Sequence, residues 1–141
     1  MSRTPTRKDV AASMRGMDLC FMATLSADGG ISSRPMSNNG QVDWDGSNWF
    51  FSNGDTRKLR ELTANPATTL DFQSGDTWIS LQGTARLHQD DRVLFEAHWT
   101  AELDRWFPQG IDTPGLTLIE VVAERAEVNG RPGEGTVDLR D

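Results

Sequence analysis

The chain has 141 residues, with 21 acidic against 14 basic side chains, a net charge of -7 and no tyrosine. That length is one domain's worth, enough to bury a single substantial core. The acidic balance excludes general affinity for nucleic acid or anionic membranes, and a lone cysteine, Cys20, with only His88 and His98 to join it, excludes an internal disulfide and the usual metal-ligand spacings.

The N-terminus carries charge but no apolar run, so neither a signal peptide nor a membrane span is expected, and the default location is cytoplasmic. Basic character is local, at Arg3, Arg7 and Lys8 and again at Arg57, Lys58 and Arg60. A short helix is predicted from Lys8 to Met17, with Asp9 near its start and Gly16 near its end. The run "LCFMATL" is apolar on both alternating faces, which predicts a strand buried on both sides and makes Cys20 a core residue. Asp28-Gly29 is a hairpin dipeptide, so "ISSRPMS" returns as the partner strand. Pro35 has no N–H to give a ladder, which makes that strand an edge, a bulge or an ending.

A second hairpin is predicted from "QVDW", a turn at Asp45-Gly46, and "SNWFFS". A helix follows from Thr56 to about Ala64, closed by Asn65-Pro66. "TTLDF" and "TWISLQGTARL" read as two strands joined around Gly75, with Gly83 marking a bulge or a close backbone approach. Asp90 and Asp91 open a helix expected to run to about Phe107, where Phe95, Trp99, Leu103 and Trp106 share one face. Pro108 and Gly110 end it. "LTLIEVV" is a late strand that "AEV" can extend. Residues 1–128 thus form one domain, and the Gly-rich, charged tail 129–141 reads as a loose or partner-docked end.

Six or seven strands in hairpins, with helices between them, predict an α+β fold on an antiparallel sheet, curled into a small barrel. Within that frame the start of the Thr56 helix is unusual. Arg57 and Lys58 both occupy the positive end of the helix dipole, where cations are unfavourable unless a negative group offsets them. That group is either Asp55 or a bound anion. Thr56 as N-cap would leave the amides of Arg57, Lys58 and Leu59 for a guest such as a phosphate monoester. Arg34, beside Pro35, is either a second ligand contact or a solvated edge-strand cation.

In order and spacing, "SRPM" at Ser33–Met36, "WFFSNGDTRKLREL" from Trp49, "ANP" at Ala64–Pro66, "SLQGTARL" from Ser80 and "WFPQG" at Trp106–Gly110 resemble one family. It is the general stress protein branch of the pyridoxamine 5′-phosphate oxidase-like, FMN-binding split barrels. The resemblance runs from about residue 8 to 128. It implies a homodimer of six-stranded split β-barrels with flanking helices and two FMN cofactors at the subunit interface. Arg34, Pro35 and Met36 would then run beside the flavin ring and ribityl chain, Phe51 and Ser52 would line the adjoining strand, and Thr56, Arg57 and Lys58 would hold the phosphate. Trp106 and Phe107 would close over the site or pack as core.

The departures narrow the chemistry. The oxidase proper uses tyrosine and arginine contacts to its substrate, and this chain has no tyrosine. Its "RLH" at Arg86–His88 falls at the end of a middle strand, unlike the oxidase's C-terminal motif, and Trp78 stands where the oxidase has a flavin-contacting glutamine. Vitamin B6 oxidation is therefore not expected. No acid/base pair or reactive thiol is evident, catalytic residues are unassigned, and His88 and His98 read as packed or solvated. What remains is an FMN-dependent oxidoreductase taking hydride from a donor such as reduced nicotinamide, a flavin-storing or sensing stress module, or a barrel holding FAD or a deazaflavin.

Overall fold

The computed structural model describes residues 4–38, 43–131 and 133–140. The chain opens with α1 (Arg7–Met14), where Thr6 and Asp9 form a reciprocal capping box that satisfies the first-turn amides. β1 (Leu19–Leu25) and β2 (Ile31–Ser37) then pair antiparallel, with Met22 opposite Arg34 and Phe21 opposite Pro35. Gly29 turns the chain between them at φ 86°, in the left-handed region where only glycine is unstrained. β2 lies at one end of the sheet, which is where Pro35 can be tolerated.

β3 (Ser47–Ser52) lies at the other end, and this corrects the second predicted hairpin. Gln41 and Val42 lie outside the described residues, Asp43 and Trp44 are not strand, and β3 pairs instead with β6 (Thr117–Gly130), Phe51 facing Leu118. Between β3 and β4 (Ala67–Ser74) runs α2 (Arg57–Ala64), whose Leu59 and Leu62 enter the core. β4 joins β5 (Thr77–Gln89) around Gly75, and the ladder between β5 and β6 shifts register at Gln82/Gly83. A side chain at Gly83 would collide with the Val122 carbonyl, which explains the glycine.

The strand order is β2-β1-β4-β5-β6-β3, with β7 (Gly135–Asp138) added on β6. The fold is therefore α+β on an antiparallel sheet, as predicted. Among the described residues β2 and β3 do not pair, so the barrel is not closed: it is split between its two end strands. No helix among the described residues is long and apolar enough to cross a membrane.

Two apolar clusters result. The larger fills the barrel with Met22, Phe50, Leu70, Leu81 and Ile119, plugged by Val10 and Met14 of α1. The smaller gathers Phe51, Phe95, Leu103, Phe107 and Leu118 beneath the segment that follows β5. Here the single long helix is corrected. α3 is only Arg92–His98, capped by the Asp91 side chain, and the extended backbone of Trp99 and Thr100 separates it from a 3-10 helix, Ala101–Arg105. An unbroken helix would carry Trp106 into the cluster; the break delivers Phe107 there and leaves Trp106 70% exposed.

Two other expectations change. β1 is not buried on both sides: Leu19 is 68% and Phe21 55% exposed, because among the described residues no layer covers them on the outer face of the sheet. The tail is not loose. β7 pairs along Arg125–Val128, and Val137 and Leu139 join the main core. Cys20 is buried as predicted, and burial, with Asp71 and Asp18 nearby, pushes its thiol up to about 12.

Candidate functional site

The split in the barrel holds a cleft, separate from a larger concavity of about 520 Å³ lined by Ala23, Leu25, Ile31, Gln82 and Arg140. A concavity of about 370 Å³ is walled on one side by Pro35, Met36 and Ser37 of β2 and on the other by Phe51 and Ser52 of β3. Thr56 and Lys58, at the start of α2, form one end of it. Glu102, Leu103, Trp106 and Phe107 close the rest. Its size falls within the ordinary range for small-molecule and cofactor sites, roughly 300–1,000 Å³. Eight sequence-predicted residues, Pro35, Met36, Phe51, Ser52, Thr56, Lys58, Trp106 and Phe107, are thus brought together.

The polar end of this cleft is under-satisfied. Thr56 occupies the N-cap with extended backbone but makes no side-chain capping bond, its hydroxyl lying 3.4 Å from that of Ser52. The first-turn amides of α2 therefore lack the partner that Thr6 gives α1. Lys58 is half-buried, and among the described residues it has no ion-pair partner. Burial, reinforced by the charge of Arg34, pushes its pKa down.

Arg34 and Arg57 are placed differently. Neither lines the cleft. The Arg34 guanidinium turns into the barrel, where Nη1 donates to Thr24 Oγ1 at 2.7 Å and to the Met22 carbonyl at 3.2 Å. Its Nη2 reaches Glu61 Oε1 at 3.4 Å. Arg57 Nε donates to Glu61 Oε2 at 3.2 Å, and Thr24 Oγ1 donates to Glu61 Oε1 at 2.7 Å. Glu61 is thus a buried carboxylate shared by two arginines and a hydroxyl. The Thr24 bond, then Arg57 and Arg34, hold its carboxyl below the usual carboxylate range against the opposing cost of burial.

Asp55 does not offset the two cations at the helix start; it pairs with Arg60 at 2.8 Å. Arg57 is answered by Glu61, which the sequence reading missed. Its signal was the i,i+4 spacing from Arg57, a favourable arrangement on a helix face. Glu102 and Asn53 were also missed as lining residues: Glu102 lies on the 3-10 helix Ala101–Arg105, which the break after α3 creates, and Asn53 follows directly on β3.

His88 does have a partner, Glu120 Oε1 at 3.0 Å, and His98 stacks on Trp49 with ring centroids 3.8 Å apart. Burial pushes the His98 pKa down. Neither histidine lines the cleft, and among the described residues no group of three or more His, Cys, Asp or Glu side chains could hold a metal ion. Trp78 is half-exposed on β5 and also lies off the cleft.

The sequence profile described as "Pyridoxamine 5'-phosphate oxidase like" matches residues 6–137. No curated protein matches the chain significantly. Among solved structures, a protein from Clostridium acetobutylicum related to general stress protein 26 of B. subtilis superposes with a TM-score of 0.77 at 23% identity, covering 89% of each chain. General stress protein 26 from Bacillus anthracis gives a TM-score of 0.76 at 16% identity, covering 94% of this chain and 98% of that one. A heme binding protein from Mycobacterium smegmatis gives 0.76 at 12% identity, covering 98% of this chain and 60% of that one. At these identities the three likenesses speak to fold alone.

Proposed function

This chain belongs to the pyridoxamine 5′-phosphate oxidase-like family, and from that premise we propose that it is a cytoplasmic FMN-binding flavoprotein acting as an oxidoreductase. The observation that carries the reading is the cleft in the barrel's split, whose wall is half apolar and half polar and is unsatisfied at its α2 end. Met36, Phe51, Leu103 and Phe107 offer a flat heteroaromatic ring an apolar bed. Lys58 and the first-turn amides of α2 offer its phosphate a charge-assisted seat. Trp106, exposed at the rim with Arg105 over its ring at 5.6 Å, supplies a surface for stacking. FMN, when bound, supplies the redox chemistry; the protein's part is to bind, orient and shield it.

The same reading includes a homodimer. Leu19, Phe21 and Ile31 stand 68%, 55% and 75% exposed on one sheet face beside the β2 wall of the cleft. A second copy seated there would bury apolar surface that monomers rarely expose. Phe21→Glu is expected to convert a dimer into a monomer by light scattering, and a wild-type monomer would remove this part of the proposal.

Haem, which the Mycobacterium smegmatis neighbour binds by name, is less well suited. The usual axial ligands include histidine, and both histidines here are engaged away from the cleft. The test is the absorption spectrum of the freshly purified protein, with mass identification of the released ligand. Flavin bands and an FMN mass support the reading, whereas a Soret band or a different nucleotide would displace it. Turnover with reduced nicotinamide separates an oxidoreductase from a module that only stores or senses flavin.

A further inference from the structure

Glu61 holds Arg57 in a manner that leaves the arginine half-committed. Only Nε is engaged, the side chain is 66% exposed, and its two terminal nitrogens have no partner among the described residues. Arg34 is different: it is held by the Met22 carbonyl, Thr24 and Glu61 together, and its side chain is 20% exposed. The two arginines flanking the carboxylate are thus unequal, one fixed and one releasable. Arg57 also sits one residue from Lys58, at the N-terminal turn whose dipole favours an anion.

We propose that Glu61 is an internal counter-anion that competes with the ligand's phosphate for Arg57, so that phosphate binding at the α2 start is an exchange of carboxylate for phosphate. The inference rests on the FMN reading of the cleft. In the ligand-free protein Arg34 and Arg57 share one carboxylate while Lys58, on the cleft side, has no ion-pair partner among the described residues, so positive charge outweighs negative where a phosphate monoester dianion would sit. When the phosphate arrives, Arg57 moves its planar fork to the phosphate oxygens, while Arg34 and Thr24 stay on Glu61 and keep it paired. Affinity at this site is then the difference between two anions for one guanidinium. Glu61 is a positioning residue in this scheme and touches no ligand.

Glu61→Gln keeps the shape and an acceptor for Thr24 but removes the carboxylate that competes for Arg57. It should tighten FMN binding by roughly 3- to 10-fold at low salt, the scale of one partly screened charge interaction. Riboflavin, which lacks the phosphate, should bind the variant and the wild type equally. Adding Arg57→Gln should abolish the gain. A purely structural role for Glu61 would instead weaken both ligands together, and that outcome, or unchanged FMN affinity, overturns the proposal.

If the variant does not fold, the wild type still decides. The Arg57 Nε–H resonance should shift on titration with FMN or inorganic phosphate and stay in place with riboflavin; a resonance that ignores both phosphates overturns the exchange. A wild type that binds riboflavin as tightly as FMN overturns the FMN reading and this inference with it, whereas discrimination in the wild type without the Glu61→Gln gain defeats the inference alone.

Discussion

Arg57 and Lys58 are neighbours in sequence yet belong to two regions with opposite electrostatics. On the barrel side of α2, Arg34, Thr24, Glu61 and Arg57 form a network in which the buried carboxylate is fully answered. On the cleft side, Lys58 has no ion-pair partner among the described residues and the first turn of α2 has no side-chain cap from Thr56. A satisfied buried network ties β1, β2 and α2 together; an unsatisfied one lining a concavity is where a ligand can gain binding energy. The comparison teaches that charge alone does not mark a site. What marks it is hydrogen-bonding capacity that the fold leaves unused.

Substitutions on the two sides should therefore fail in different ways. The largest expected effect is Lys58→Glu, which removes the cleft's unpaired cation and places a carboxylate beside the phosphate. FMN affinity should fall by about 100-fold, in line with loss of a charge-assisted hydrogen bond plus repulsion, with thermal stability of the free protein unchanged. Equilibrium flavin fluorescence and a melting curve together check it. If stability fell instead, Lys58 would belong to the interior network.

Arg34→Met should show the reverse pattern. Its three hydrogen bonds are lost and a buried carboxylate loses one partner, so the free protein should be destabilised by about 2 kcal/mol in urea unfolding. FMN affinity should move less than with Lys58→Glu. A selective loss of FMN binding at unchanged stability would show that Arg34 leaves the barrel to meet the ligand. The acid limb sharpens this. Because the folded-state carboxyl of Glu61 titrates below its unfolded value of about 4.3, its contribution is present above that value and is lost as pH falls through the lower, folded one. The stability gap between wild type and Arg34→Met should therefore narrow below about pH 4, measured by unfolding at successive pH values.

The smallest contrast lies between two threonine caps. Thr6 closes a capping box on α1, so Thr6→Ala should cost about 1 kcal/mol. Thr56 makes no capping bond, and Thr56→Ala should change stability by less than about 0.5 kcal/mol. Equal losses would mean that Thr56 caps α2 in solution and that its amides are not free for a guest.

Much of this frame was legible in the sequence, and the reasons are local. The Asp28-Gly29 turn, the proline that sends β2 to an edge, the Gly83 bulge and the start of α2 each follow from one residue's backbone chemistry. What could not be read depended on distant partners. β3 looked like half of a hairpin because Asp45-Gly46 precedes it, yet its ladder is with β6, some seventy residues later in the chain. The long helix ends before Trp99, whose ring packs edge-on against Phe51 and Phe107 at 5.0 Å and 5.9 Å, contacts between residues distant in sequence. The tail's Val137 and Leu139 looked isolated among glycines and charges until β6 gave them a strand to pair with. Eight residues named from the sequence meet in one cleft, but the division of Arg57 from Lys58 was not legible, since it depends on Glu61 facing inward.

We propose that the phosphate of a flavin nucleotide is met by the Lys58 side of α2. A crystal structure of the protein with FMN tests it most directly. The account predicts the phosphate within hydrogen-bonding distance of Lys58 Nζ and of a first-turn amide of α2, with the ring lying along Met36 and Phe51. A phosphate seated elsewhere, or a flavin outside the split between β2 and β3, would contradict it.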